Sequence, residues 1–370
     1  MRKLTLCVWL ILLVACHNSD DNEPNVTPPA EEMEVSFSGN VSVITSSASV
    51  SSRAPIINTT FDEGAEIGIY GMVANADNMA TIGWSYNTVL QDAMTNAKYT
   101  ATTHIINDGG LRKQTLEQDE IAKFPRRESS TSPDPALVFY AYYPYTSSVS
   151  YNPYGAPNAP MIDVVLNSGD MSQTPDYMYA KAYSKATVDP ILLTFDHLLA
   201  RLDFHLYTDI PDFGFAAGEV GSPVLKKVMV YQNKKYSATF DLSKIGSLTP
   251  ASAGSPLPLV YPGLDYVIEQ KTEDQNRFTG SSYLLFPSCL ISKIVFVILT
   301  EKGVEREFTV YQYVPGSTDP LKKQIPLERG KITKMTIKYT REVVPNATIS
   351  GWEESISLDG FTVSDQNVAP

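Results

Sequence analysis

Leu193-Thr194-Phe195-Asp196-His197-Leu198-Leu199-Ala200-Arg201-Leu202-Asp203-Phe204-His205-Leu206 is the stretch that decides the fold class. Leu198, Ala200, Leu202, Phe204 and Leu206 alternate with Leu199, Arg201, Asp203 and His205. A period of two gives a strand with one apolar and one mixed face. The same texture recurs on both sides. Upstream, Ile67–Val73 reads as a buried strand, and the apolar run from Pro135 to Tyr145 is a strand stopped by Pro144, because proline cannot extend a ladder. Downstream, Val224–Tyr231, Ala238–Leu242, Tyr266–Glu269, Tyr283–Phe286, Lys293–Leu299, Glu305–Tyr313 and Lys331–Tyr339 are strand candidates. Lys226–Tyr236 and Lys293–Val310 read as hairpins, the second turning at Glu301-Lys302-Gly303. Asn75–Leu116 is polar and ambiguous, with Leu90–Ala97 a candidate helical turn.

Many short strands at this spacing, without long amphipathic helical patterns, predict an all-β chain of antiparallel β-sandwiches rather than parallel α/β units. The length suggests two domains. The expected division is a segment 1–15, a tether 16–32, an N-terminal sandwich 33–185 and a C-terminal sandwich 186–370. Tyrosine is abundant at 21 and charged residues make up only 19%, which favours a β-rich extracellular protein over a helical cytosolic one. The net charge of -12 argues against nucleic acid and anionic lipid headgroups as partners.

The first strand of that division is Met33–Val43. Met33, Val35, Phe37, Val41 and Val43 share one face, interrupted by Gly39, and Glu34, Ser36, Ser38, Asn40 and Ser42 form the other. A serine-rich stretch follows and carries Arg53 in Ser51-Ser52-Arg53-Ala54-Pro55.

The extreme N-terminus has a different character. Arg2 and Lys3 precede an apolar run from Leu4 to Ala15, too short to span a bilayer, where about 20 apolar residues are needed. Leu13-Val14-Ala15-Cys16 then resembles the lipobox of a bacterial lipoprotein signal peptide, which implies lipid on Cys16 and a mature chain beginning there. The alternative is an ordinary signal cut after Ala15, with Cys16 incidental. His17–Glu32 is acidic, proline-containing and poor in core residues, as a solvated tether would be. Its Ser19-Asp20-Asp21-Asn22-Glu23 cluster resembles a surface-export signal of Gram-negative lipoproteins, and reads equally as plain tether.

Three cysteines occur, Cys7, Cys16 and Cys289. With the first two assigned to the signal and the lipid, no intramolecular disulfide is expected, and Cys289 among Phe286, Pro287, Leu290 and Ile291 reads as a small buried apolar residue. His197 and His205 are eight apart, about 26 Å on an extended strand, too far to hold one metal. His197 reads as a hydrogen-bonded packing residue rather than a catalytic base. There is no phosphate-binding loop, nucleophile elbow, dinucleotide fingerprint or His-Glu-x-x-His. No enzyme activity, metal or cofactor is therefore expected. The tyrosine run through Tyr140, Tyr142, Tyr143 and Tyr145 to Tyr151 and Tyr154 offers either strand packing with a loop rim or a glycan-stacking surface, with Tyr151 and Tyr154 the candidate contacts.

Several segments together resemble the fimbrillin family, the type V pilins and fimbrillin-like (Mfa-like) lipoproteins of Gram-negative anaerobes. They are Phe61–Tyr70 (FDEGAEIGIY), Phe139–Tyr145 (FYAYYPY), Pro175–Ala180 (PDYMYA), Leu193–Leu206, Tyr261–Tyr266 (YPGLDY) and Ile349-Ser350-Gly351-Trp352. The resemblance implies two transthyretin-like β-sandwich domains in series. It implies an outer-membrane lipoprotein at the cell surface that matures into a fimbrial (pilus) subunit with a role in adhesion. It further implies proteolytic removal of the first strand, here at Arg53 before Ala54, and filling of the vacated groove by the C-terminal strand of another subunit. Within 343–370 the candidate donor residues are Ile356, Leu358, Phe361 and Val363, two apolar pairs whose alternation shifts phase at Gly360. The partners implied are other fimbrial subunits, the outer membrane through Cys16, and a host protein or glycan. A surface glycan-binding lipoprotein or fimbrial tip adhesin is the alternative.

Overall fold

A computed structural model describes residues 34–42, 60–74, 94–108, 111–118, 122–124, 136–151, 160–185, 187, 189–208, 221–242, 248, 250–268, 282–318, 322–339 and 346–350. Its strands in chain order begin with β1 (Phe37–Val41), β2 (Glu66–Ala74), β3 (Ala97–Asp108), β4 (Leu111–Glu117) and β5 (Ala136–Tyr143). Next come β6 (Ser150–Tyr151), β7 (Pro160–Val165), β8 (Met178–Lys185), β9 (Ile191–His197) and β10 (Ala200–Thr208). They are followed by β11 (Val224–Lys234), β12 (Ser237–Asp241), β13 (Ser252–Tyr261), β14 (Tyr266–Val267) and β15 (Ser282–Leu285). The series ends with β16 (Ile291–Leu299), β17 (Glu305–Gln312), β18 (Ile332–Tyr339) and β19 (Asn346–Ser350). The chain is all-β; a short 3-10 turn, Met171–Gln173, lies between β7 and β8.

Seven strands close a barrel in the order β1-β4-β3-β2-β5-β8-β9. The second part holds two sheets, β15-β10-β18-β19 and β13-β11-β16-β17 with β14 added to β11, and a small third sheet, β12-β7-β6, joins strands from both halves of the chain. Alternation alone predicted antiparallel pairing, yet β1 runs parallel to β9 and β10 parallel to β18. The reason lies in connectivity: neither pair is joined by a tight turn, so nothing local forces the direction. The division expected at 185/186 falls between two barrel strands, β8 and β9, which pair at Met178↔His197 and Tyr179↔Asp196. The chain passes to the second part between His197 and Ala200.

β5 shows why its sequence is apolar on both faces. Leu137, Phe139 and Ala141 point into the barrel core with Phe37, Ile67, Ile69, Leu193 and Phe195. Val138, Tyr140 and Tyr142 point out, into a core shared with Leu202, Phe204, Val228, Phe296 and Met335 of the second part. A strand buried on both sides loses its alternation and becomes a continuous apolar run.

The hairpin expected at Lys293–Val310 forms: β16 and β17 pair antiparallel and turn through Gly303 at φ 72°. The one expected at Lys226–Tyr236 does not. β11 continues to Lys234, and β12 crosses to pair with β7 from Ser237↔Val165 to Asp241↔Met161. Tyr179 of β8 meets Phe240 of β12 edge-on at 5.3 Å between ring centroids, reinforcing that crossing.

On the outer face of the barrel the ring of Tyr142 lies across Gly68, its registered partner on β2. Its hydroxyl donates to Asn96 Oδ1 (2.7 Å) and accepts from the Thr146 N–H (3.2 Å). A Cβ on Gly68 would stand 2.2 Å from the Tyr142 ring. Gly68→Ala is therefore expected to displace the ring, break both hydrogen bonds and destabilise the protein by about 3 kcal/mol, measured by chemical denaturation of the purified chain.

Candidate assembly site

The site is the slot that β1 occupies. β1 pairs on one side with β4, from Phe37↔Leu116 to Gly39↔Gln114, and on the other with β9, from Phe37↔Ile191 to Val41↔Phe195. Val35 N–H donates to Ala122 O (2.8 Å), Ile191 N–H to Ser36 O (2.9 Å) and Ser42 N–H to Phe195 O (2.8 Å). The Ser42 hydroxyl adds a bond to Asp196 Oδ1 at 2.6 Å. All five strand residues are buried, Ser38 and Asn40 included. On the polar face Ser38 and Asn40 are thus closed in, while Glu34 and Ser36 are exposed and Ser42 is half-buried.

The inward face carries the packing. Phe37 sits edge-on to Tyr99 (5.2 Å) and Phe139 (4.9 Å), the geometry aromatic pairs prefer. Val35 and Val41 are 5% and 2% exposed. Of the five residues expected on this face, the structure thus places Val35, Phe37 and Val41 in the core, while Met33 and Val43 lie outside the described residues. Removing the strand costs each of the three placed side chains roughly 1.5 to 3 kcal/mol of burial. It also uncovers both flanking backbone edges.

Gln114 is a functional-looking residue that the alternation pattern did not single out. It is 2% exposed inside the barrel, with Oε1 accepting from Phe61 N–H (2.8 Å) and Nε2 donating to Phe61 O (3.1 Å) and Thr102 O (2.6 Å). A buried amide with both ends bonded acts as a backbone mimic. It fixes Phe61, whose ring stands 4.9 Å from Phe195. Ser42 is bonded to Phe195 too. Ser42 and Phe61, near the two ends of the segment 43–59 that holds Arg53 and Ala54, therefore both lie beside Phe195 of β9.

Part of the proposed donor region is already paired. β19 lies antiparallel to β18 from Lys334↔Ser350 to Lys338↔Asn346, at the edge of its own sheet. Ile356, Leu358, Phe361 and Val363, like Cys16, Arg53, Ala54 and Tyr154, lie outside the described residues. Tyr151 belongs to β6, opposite Pro160 of β7. Tyr140 and Tyr142 are 1% exposed and committed to packing, with Lys181 Nζ 5.2 Å from the Tyr140 ring. They offer no face for stacking a glycan.

Two further titratable residues, His197 and Cys289, are packed inside the fold. His197 is buried, its Nδ1 2.9 Å from an Asp176 carboxylate oxygen, in a pair that sits where the chain leaves the barrel. The backbone around it is tied by Leu198 N–H to Tyr177 O (2.8 Å) and Gly330 N–H to Leu199 O (2.9 Å). Cys289 is fully buried, and burial pushes its thiol up to about 12. At neutral pH it is a protonated apolar filler without nucleophilic character.

The sequence matches the family model described as fimbrillin-like over residues 52–352. The chain belongs to the fimbrillin-like family. No protein of curated function matches it. Two solved structures share the fold at 16% identity each. One is a candidate cell-adhesion protein of Bacteroides uniformis, with a TM-score of 0.50, covering 86% of this chain and 98% of that one. The other, from Bacteroides ovatus, has a TM-score of 0.52 and covers 87% and 98%. Family membership supports a structural fimbrial subunit at the cell surface rather than an enzyme.

Phe37→Ala tests the packing of the slot. Losing the ring from between Tyr99 and Phe139 is expected to cost about 3 to 5 kcal/mol, read by thermal or chemical denaturation. A loss below about 1 kcal/mol would mean that β1 contributes little to the closed barrel.

Proposed function

We propose that this fimbrillin-like chain is a subunit exported as a lipoprotein through Cys16 and polymerised by donor-strand exchange after cleavage between Arg53 and Ala54. The observation that carries the reading is the position of β1. It is the first described strand, it closes the barrel between two partners, and it is joined to the rest by a connection that contains a single arginine. A strand so placed can be removed from the chain without interrupting any other element.

Cleavage and release are separate steps in this scheme. The cut frees β1 covalently, but its buried side chains and paired edges still hold it in the barrel, while the Gln114–Phe61 clamp keeps the new N-terminal segment in place. An incoming strand then displaces β1 and inherits both ladders, the β-augmentation mode of recognition. The C-terminal stretch beyond β19 is the proposed donor. The barrel, ending at His197, and the two sheets beginning at Ala200 are proposed as the two structural units of the subunit. Adhesion follows as a property of the assembled fimbria, with other subunits as its first partners.

Arg53→Ala should leave lipidated monomers at the membrane, and deletion of Ser355–Pro370 should give mature monomers that add to nothing. Both are read as polymer ladders from surface-sheared material. Normal ladders from the arginine variant would remove the cut from the scheme, and normal ladders from the deletion would remove the donor.

A further inference from the structure

We propose that the excursion between β7 and β8 is an edge guard, sealing one flank of the second part so that β13 and β15 cannot pair with a strand of another copy. The seal is separate from donor-strand exchange and holds whether or not β1 is exchanged. An edge strand presents a row of N–H and C=O groups to which another strand can bond. β13 and β15 end the two large sheets of the second part, and they meet across one flank, where the rings of Tyr261 and Tyr283 stand 5.6 Å apart.

On β13 the outward donors are removed in turn. Val260 N–H points away from β11 and donates to Ser168 O (2.9 Å). Backbone groups two residues apart along a strand point the same way. The next outward places belong to Pro258 and Pro256, which carry no N–H. The Pro258 carbonyl accepts from the Tyr236 hydroxyl at 2.7 Å. Past Leu257 the register with β11 jumps from Gln232↔Leu257 to Lys234↔Ser252, an irregularity of the kind that turns an edge away from partners.

The same excursion covers β15. Its 3-10 turn, Met171–Gln173, lies against β13 and β15 alike. Met171 is 2% exposed and joins Tyr283 in the core. The excursion is anchored where it starts, by Leu166 N–H to Tyr236 O (2.7 Å). Within it, Thr174 Oγ1 accepts from Asn167 N–H (2.9 Å) and Asn167 Oδ1 from Asp170 N–H (3.1 Å). Asp170 Oδ1 accepts from Ser172 twice, from its N–H (3.0 Å) and its hydroxyl (2.6 Å). Short polar side chains thus tie the backbone to itself and hold Ser168 in line with the edge it covers. Closing this flank confines strand addition to other places in the fold.

The test compares the self-association of the purified full chain and its variants by sedimentation at rising concentration. Pro256→Thr and Pro258→Thr, combined with Tyr236→Phe, supply two outward donors and free the Pro258 carbonyl. This triple variant should associate at a concentration at least about tenfold lower than the unmodified chain. In the associated species the amides at positions 256 and 258 should exchange at least about tenfold more slowly than in the variant's monomer. Val260→Thr puts the same side chain on the strand without freeing a donor, and should behave as the unmodified chain does. A folded triple variant that stays as monomeric as the unmodified chain overturns the seal. So does equal association of Val260→Thr, or association that leaves the amides at 256 and 258 unprotected. Should the triple variant not fold, Pro258→Thr alone restores one donor: a shift in the same direction with protection at 258 supports the seal, and no shift overturns it.

Discussion

Closure of the barrel by β1 is the constraint on which the rest of this structure depends. A sheet that curls until its two edges meet must satisfy both edges, and here one short strand does so by pairing antiparallel with β4 and parallel with β9. The five residues of β1 are buried because they are surrounded on both ladders and both faces. Such a strand is contiguous with the rest of the chain only through 43–59, so its place in the fold is secured by packing more than by covalent connection.

The second organising fact is that the barrel is not a self-sufficient core. Tyr70, Val138, Tyr140 and Tyr142 on its outer face belong to the cluster that fills the second part of the molecule. The outward residues of β5 exclude water only because the second part lies against them, and the sequence of β5 records this as a run with no polar side. His197 and Asp176, buried at the passage between the parts, pair through Nδ1 and a carboxylate oxygen at 2.9 Å, while His197 Nε2 is buried with no hydrogen-bond partner among the described residues.

Much of this was legible in the residues, and the exceptions have physical causes. The all-β class, β2, β5, β10 and the β16–β17 hairpin follow from period-two patterns and a Gly turn. β3 and β4 were hidden in a polar stretch, since Thr100, Thr102 and Thr103 are good strand residues that carry no hydrophobic signal. The parallel pairings and the β7–β12 crossing depend on partners far apart in sequence, which periodicity does not encode. At the assembly site, the apolar face of β1 was readable residue by residue. Gln114 was not, because a buried glutamine looks like any solvent-facing polar residue until the backbone it bonds to is known.

The β7–β12 ladder has a mechanical consequence. Two bodies joined by one stretch of chain can swivel about it, and the passage at Leu198-Leu199 taken alone would be such a pivot. The excursion between β5 and β8 opposes that swivel: it carries β7 out of the barrel to pair with β12 through five registered residues and to bury Ile162 and Val164 in the second part's core, with Tyr179 against Phe240. A filament built from such units would store twist at the joints between subunits, leaving each subunit stiff along its own length.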